Sequence, residues 1–229
     1  MKITCILASY NRPRFVRQAI ASVVGQTHRD WELLVMDNSS VFDIHKVVAE
    51  FGSPSIKVFH KKYSAAERAT RGILGINLNE GMRAASGDLF CFLCDDDYYF
   101  PGWFAAASAF LETHGDVDVC YGRLYYSTAP EVDPQASLGR CLFVPGPLRN
   151  PQCSVDHNQI VHRRFDPPYK WPEGIEATHM VDAVYFTDVA QTHPFHAVDV
   201  PAVVKRQHAK NLQFTMPDIL NGNAEGLRE

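Results

Sequence analysis

The chain has 229 residues, 46% of them hydrophobic and 21% charged, with a formal net charge of −4. That balance fits an ordinary globular protein of one large or two small domains, and it gives no electrostatic case for non-specific nucleic-acid binding. No apolar run reaches the ~18 residues that a membrane helix needs, so no integral membrane segment is expected.

The N-terminus runs straight into an apolar strand, Ile3 to Ala8, with no signal-peptide pattern. Ser9-Tyr10-Asn11-Arg12-Pro13 then makes a tight connection into a helix. Asn11 or Ser9 suits its cap and Pro13 its first turn. Phe15, Val16, Ala19, Ile20, Val23 and Val24 recur at helical spacing, which lays one face on a sheet. Trp31 to Met36 reads as a second strand and ends in Asp37-Asn38-Ser39-Ser40. A short helix over Asp43 to Phe51 and a third strand over Ser55 to His60 follow. Tyr63 to Ala85 is mostly helical, weakened by Gly72, Gly75 and Gly81, with Glu67, Arg68 and Arg71 near its start.

Leu89 to Cys94 is six apolar residues without a polar break, the pattern of a strand covered on both faces. It runs directly into Asp95-Asp96-Asp97. Strands of this kind present ligands at their carboxyl ends, and three adjacent carboxylates repel one another unless a cation or a hydrogen-bonded sugar offsets the charge. The bland alternative is a solvated acidic turn leading into the next helix, Pro101 to His114.

Val117 to Ser127 is β-rich and completes an alternation of strands and helices. That alternation predicts a layered α/β domain with helices on both faces of a mainly parallel sheet. Beyond Thr128, prolines punctuate short strands and loops. Cys153 to Val161 reads as a strand bearing Asp156 and His157, Val181 to Thr192 as a helix with Asp182 near its start, and Phe195 to Lys205 as a late strand. Phe165, Tyr169 and Trp171 suit either sugar stacking or core packing. His162, His179, His193 and His196 show no metal-ligand grouping and read as surface or loop residues. The six cysteines lie mostly in apolar runs and lack a paired zinc pattern. They read as reduced, buried thiols of a cytoplasmic protein. The chain is read as one domain: a first half over 1–127, a second half of smaller mixed β structure over 128–212, and a tail over 213–229.

The stretches CILASYNRPRFVRQAIASVVGQTHRDWELLVMDNSS and NEGMRAASGDLFCFLCDDDYYFPGW together resemble family 2 glycosyltransferases of the GT-A fold. The likeness continues more weakly through CSVDHNQIVHR and HMVDAVYF. The resemblance implies that Ser9 and Tyr10 border the nucleotide and that Asp37 and Arg68 lie at a pyrimidine base. It also implies that Asp95 sits near the ribose or sugar, that Asp96 is the metal ligand with Asp95 or Asp97 beside it, and that Asp182 is the general base. His208 matches a His near the diphosphate, and the Asp156-His157 pair stands where an acceptor would sit. Cys94 departs from the pattern, because many members carry there the first Asp of a D-x-D.

The chemistry asks for these residue types. A departing diphosphate gathers negative charge, which Mn²⁺ or Mg²⁺ on hard carboxylate ligands offsets. An acceptor alcohol needs a positioned base. The expected activity is therefore inverting, metal-dependent transfer from a UDP- or dTDP-sugar to a hydroxyl acceptor, a glycan or a small molecule. Each assignment has a structural alternative. Asp37 suits an Asx turn, Arg68 a helix surface, Asp156-His157 a structural polar pair, and Asp182 the favourable acidic position in a first helical turn. Two other functions compete. A sugar-nucleotide nucleotidyltransferase would usually open on a glycine-rich phosphate loop, which Ser9-Tyr10-Asn11-Arg12-Pro13 is not. A catalytically silent nucleotide-sugar binder would not need Asp96 and Asp182.

Overall fold

The computed structural model describes residues 1–128, 139–174 and 180–207. Strand β1 (Ile3–Ser9) leads to helix α1 (Pro13–Val24), followed by β2 (Trp31–Asp37), α2 (Ile44–Ala49) and β3 (Ile56–His60). Next come α3 (Ala65–Thr70), α4 (Ile73–Ala84), β4 (Leu89–Cys94), the two-residue β5 (Tyr98–Tyr99) and α5 (Trp103–Thr113). Then follow β6 (Val119–Ser127), β7 (Cys141–Leu142), a 3-10 turn (His157–Gln159), β8 (Ile160–Arg163), α6 (Val181–Ala190) and β9 (Phe195–Arg206).

The strands form one sheet in the order β3-β2-β1-β4-β8-β6-β9-β5, with β7 beside β6. The first four are parallel, and β8 enters antiparallel between β4 and β6. The mixed strands of the second half thus extend the same sheet. Register decides where the chemistry falls. Ser9 lies opposite Asp37 and Ala8 opposite Cys94, so β1, β2 and β4 end at one level. Loops leaving parallel strands at one level converge, as ligand-binding loops of α/β sheets do.

Alternation along the strands divides the core in two. Ile3, Cys5, Leu7, Leu33, Val35, Leu89, Cys91 and Leu93 face α1 and α5, packing with Val16, Ile20, Trp103 and Phe104. Ile6, Leu34, Met36, Phe90 and Phe92 face α4 and α6, packing with Leu78, Met82, Tyr185 and Phe186. Period-two burial on both faces is what the unbroken apolar run at 89–94 requires.

The helix expected over Tyr63 to Ala85 divides at Arg71-Gly72. The Ser64 side chain and Glu67 cap α3 reciprocally, and Gly72 N–H donates to the Glu173 carbonyl. Gly75 is required by close approach, since a Cβ there would lie 1.9 Å from the Pro172 carbonyl oxygen. This contact seats residues 171–174 on α4, where the Asn79 amide bonds both the N–H and the C=O of Trp171. Trp171 is fully buried and stacked 3.9 Å from Tyr185, so it packs the core.

Several expectations are corrected. Residues 153–161 are not a continuous strand. Asp156 caps the 3-10 turn instead, receiving Asn158 N–H while Gln159 reaches back to its amide, and the strand begins at Ile160. Neither Asn11 nor Ser9 caps α1. Asn11 adopts φ 54°, a left-handed conformation that Asn tolerates, and its carboxamide oxygen accepts from Ser40 and Val41 N–H. His162 is neither surface nor loop. It lies buried in β8, stacked on Phe165 and bonded to the Tyr185 hydroxyl, and burial pushes its pKa down to about 4. All six cysteines are free thiols, but Cys153 is exposed and Cys94 and Cys141 are half-buried.

At the far end of the sheet the Glu32 carboxylate is buried and accepts from Thr4, Ser86 and Lys57. Burial works against its charge, yet these donors outweigh it and lower its pKa from 4.5 to about 2. A depressed acid stabilises the fold above its unfolded pKa and loses that contribution as pH falls through the folded one. Glu32→Gln should therefore cost about 2–3 kcal/mol near neutrality. The gap from wild type should shrink between pH 4.5 and about 2, as read by denaturant unfolding across pH.

Candidate active site

The carboxyl ends of β1, β2 and β4 carry most of the residues singled out from the sequence. Ser9 ends β1, is buried, and its hydroxyl has no hydrogen-bond partner among the described residues. Asp37 ends β2 and is fully buried. Its carboxylate accepts from Ser39 N–H and hydroxyl at 3.1 and 2.6 Å and meets His60 Nδ1 at 2.7 Å. The Arg68 guanidinium lies 3.7 Å over the Tyr10 ring and donates to the Asn38 carbonyl. A half-exposed aromatic and a cation thus stack on one another beside Asn38, the residue that follows the buried Asp37.

Tyr10 ties this corner to the acidic turn. Its N–H donates to Asp95 Oδ2 at 2.8 Å. Arg12 Nη1 lies 2.9 Å from Asp95 Oδ1 and 3.1 Å from Asp96 Oδ2. Burial, with the charge of Asp96 beside it, raises Asp95 to about 6 against the pull of Arg12. Asp97 is raised as well, by burial and again by Asp96. Both Asp97 oxygens already accept, Oδ1 from Arg206 N–H and Oδ2 from the Asn158 amide, which fixes the orientation of its carboxylate and leaves one lone pair on each oxygen. Asp96 is the most exposed of the three. The donor set at Asp95 and Asp96 is hard oxygen, and a single cationic nitrogen already bridges it, so the residues present fit a Mg²⁺- or Mn²⁺-like ion.

Cys94, at the end of β4, presents its thiol to His157 Nε2 at 3.2 Å. The other ring nitrogen of His157 stands 3.7 Å from Asp156 Oδ1 and 3.9 Å from Asp182 Oδ2. Burial opposes a charge on His157, while Cys94, Asp182 and Asp156 favour it, and the net result holds the ring protonated well above its ordinary range. Burial pushes the Cys94 thiol up. Asp156 moves the other way. Lys205, in direct ion contact, and His157 outweigh its burial and keep it ionised. One donor atom each from Asp156, His157 and Asp182 lies within 4.8 Å of the others, near enough to share a cation. Asp156, however, is already spent on Lys205 and Asn158. Asp182 sits in the first turn of α6, half-exposed, with Oδ1 accepting from Ala183 N–H.

Contacts thus run from Arg68 through Tyr10 to Asp95, Arg12 and Asp96, and from Cys94, which precedes Asp95, through His157 to Asp182. His208 lies outside the described residues. The sequence did not point to Arg12, Asn158 or Lys205. Their partners are 83, 61 and 49 positions away, and no local spacing marks such pairings.

Comparison with known proteins agrees with this architecture. The family model described as "Glycosyl transferase family 2" matches residues 4–161. Protein CgeD of Bacillus subtilis is 23% identical over 97% of this chain and 55% of its own length. S. aureus TarS, solved with UDP-GlcNAc, superposes with a TM-score of 0.73 at 18% identity, over 92% of this chain and 60% of that one. A mannosyltransferase from Pyrobaculum calidifontis, in complex with GDP-Man and Mn²⁺, gives 0.63 at 15% identity, over 96% and 60%. The chain therefore spans little more than half the length of these relatives, and the structural likeness establishes the GT-A fold. Among the described residues no helix is long and apolar enough to cross a membrane.

Proposed function

The chain belongs to glycosyl transferase family 2, and on that premise we propose that it moves a sugar from a nucleotide-diphosphate donor, UDP or dTDP, to an acceptor hydroxyl with inversion. The observation that carries this reading is the acidic turn at the end of β4, held against Tyr10 and Arg12 on one side and linked through Cys94 and His157 to Asp182 on the other. The UDP-GlcNAc bound to TarS supports the choice of nucleotide.

Each residue has a task in this proposal. Ser9 and Tyr10 border the nucleoside, and Asp37 and Arg68 meet the pyrimidine edge. Asp95, fixed by Tyr10 N–H and Arg12, accepts from the ribose or the donor sugar. Asp96, with Asp95 or Asp97 beside it, would hold Mn²⁺ or Mg²⁺. When bound, the ion neutralises charge on the departing diphosphate as a Lewis acid. Asp182 takes the proton of the acceptor hydroxyl. The acceptor oxygen then bonds the anomeric carbon from the face opposite the diphosphate, whose bond to that carbon breaks. Asp156 and His157 line the acceptor side, a glycan or a small molecule.

Calorimetric titration with UDP and dTDP tests the proposal. Binding should tighten with Mn²⁺ and weaken on chelation. Indifference to EDTA would remove the metal from the scheme. Pyrophosphate release from a nucleoside triphosphate and a sugar phosphate would mark a nucleotidyltransferase instead.

A further inference from the structure

Arg12 occupies an unusual place. A single nitrogen, Nη1, stands 2.9 Å from an oxygen of Asp95 and 3.1 Å from an oxygen of Asp96. A divalent cation shared by paired carboxylates would compete for the same oxygens. The two acids are buried, whereas the Arg12 side chain is 28% exposed, so the positive group closes the solvent side of the pair. A guanidinium cannot relieve a clash with an incoming cation by losing its proton. It must move, and its planar fork matches phosphate oxygens well.

We propose that Arg12 is the resident counter-ion of the site: it competes with the divalent cation for Asp96 and passes to the donor diphosphate when that cation arrives. The inference rests on the metal reading of Asp96 given above. Without ligand, Arg12 offsets the repulsion between Asp95 and Asp96. With cation and donor present, it gives up Asp96 and turns toward the diphosphate. Metal binding and donor binding are then coupled, because each relieves the cost of displacing Arg12.

The test is Mn²⁺ binding to nucleotide-free protein, read from the EPR signal of the free ion. Arg12→Gln should bind Mn²⁺ about tenfold more tightly than wild type, a typical size for such coupling. It should also bind UDP more weakly in the presence of saturating Mn²⁺, and Asp96→Asn should abolish Mn²⁺ binding in both backgrounds. Unchanged or weaker Mn²⁺ affinity in Arg12→Gln overturns the proposal while leaving the metal assignment standing. If neither protein binds Mn²⁺ even with UDP present, the metal assignment falls and this inference with it. Should Arg12→Gln fail to fold, Arg12→Lys decides the matter. Its charge still competes for Asp96 but lacks the fork, so Mn²⁺ affinity near wild type with several-fold weaker UDP binding in the presence of Mn²⁺ upholds the proposal, and wild-type UDP affinity overturns it.

Discussion

Asp182→Asn should lower transfer by about 10²–10⁴-fold while nucleotide affinity stays within twofold of wild type, the signature of a lost general base. The amide is isosteric and keeps an oxygen to accept from Ala183 N–H, so α6 should start as before. What it loses is the capacity to take a proton. Asp182 also carries a favourable charge in a first helical turn, and removing that charge alone would cost ~0.3–1 kcal/mol of stability. The two roles separate cleanly. A pure capping role predicts a small fall in melting temperature with unchanged turnover, whereas a base predicts lost turnover with no more than that same small fall. Donor hydrolysis, which uses water as acceptor, provides the turnover measurement without knowledge of the natural acceptor. Full hydrolysis by the variant would move the base elsewhere, with Asp156 the next carboxylate in the cluster.

Asp96→Ala should cut donor turnover about 10³-fold, the several kcal/mol that charge stabilisation by a metal supplies. It should also abolish the Mn²⁺-dependent part of UDP binding. The same change removes one of three adjacent carboxylates. Burial first, and the charge of Asp96 after it, push Asp95 and Asp97 up in pKa; the variant relieves that repulsion and gives up the contact with Arg12, so its stability should stay at or above that of wild type. Lost function with retained or raised melting temperature is what a site held at a cost in stability produces. Circular-dichroism melting beside calorimetry reads both quantities. A variant that melts early and binds UDP with Mn²⁺ as before would make Asp96 a structural residue.

The candidate nucleotide and metal residues stand out in the sequence because they sit at the ends of strands with strong local signatures. LFCFLC is apolar on both faces and WELLVM is so beyond Glu32, so their ends are marked by the next polar residues, Asp95 and Asp37. The turn at 153–159 was misread because CSVDHNQIV alternates weakly enough to pass for a strand. The Asp156 and Gln159 side chains bond the backbone locally and win the competition with a ladder. His162 was misread because a lone histidine in sequence does not reveal whether an aromatic stack will enclose it.

The sequence by itself determined the layered α/β plan, the strands of the parallel half and the acidic turn that ends β4, because periodicity and burial act within one element. Only the tertiary structure decided which charges meet. Arg12 against Asp95 and Asp96, Lys205 against Asp156, and His157 between Cys94 and Asp182 are contacts between segments tens of residues apart. Strand register and loop path bring them together, and electrostatics in a buried site depends on distances of a few ångström that no spacing along the chain records.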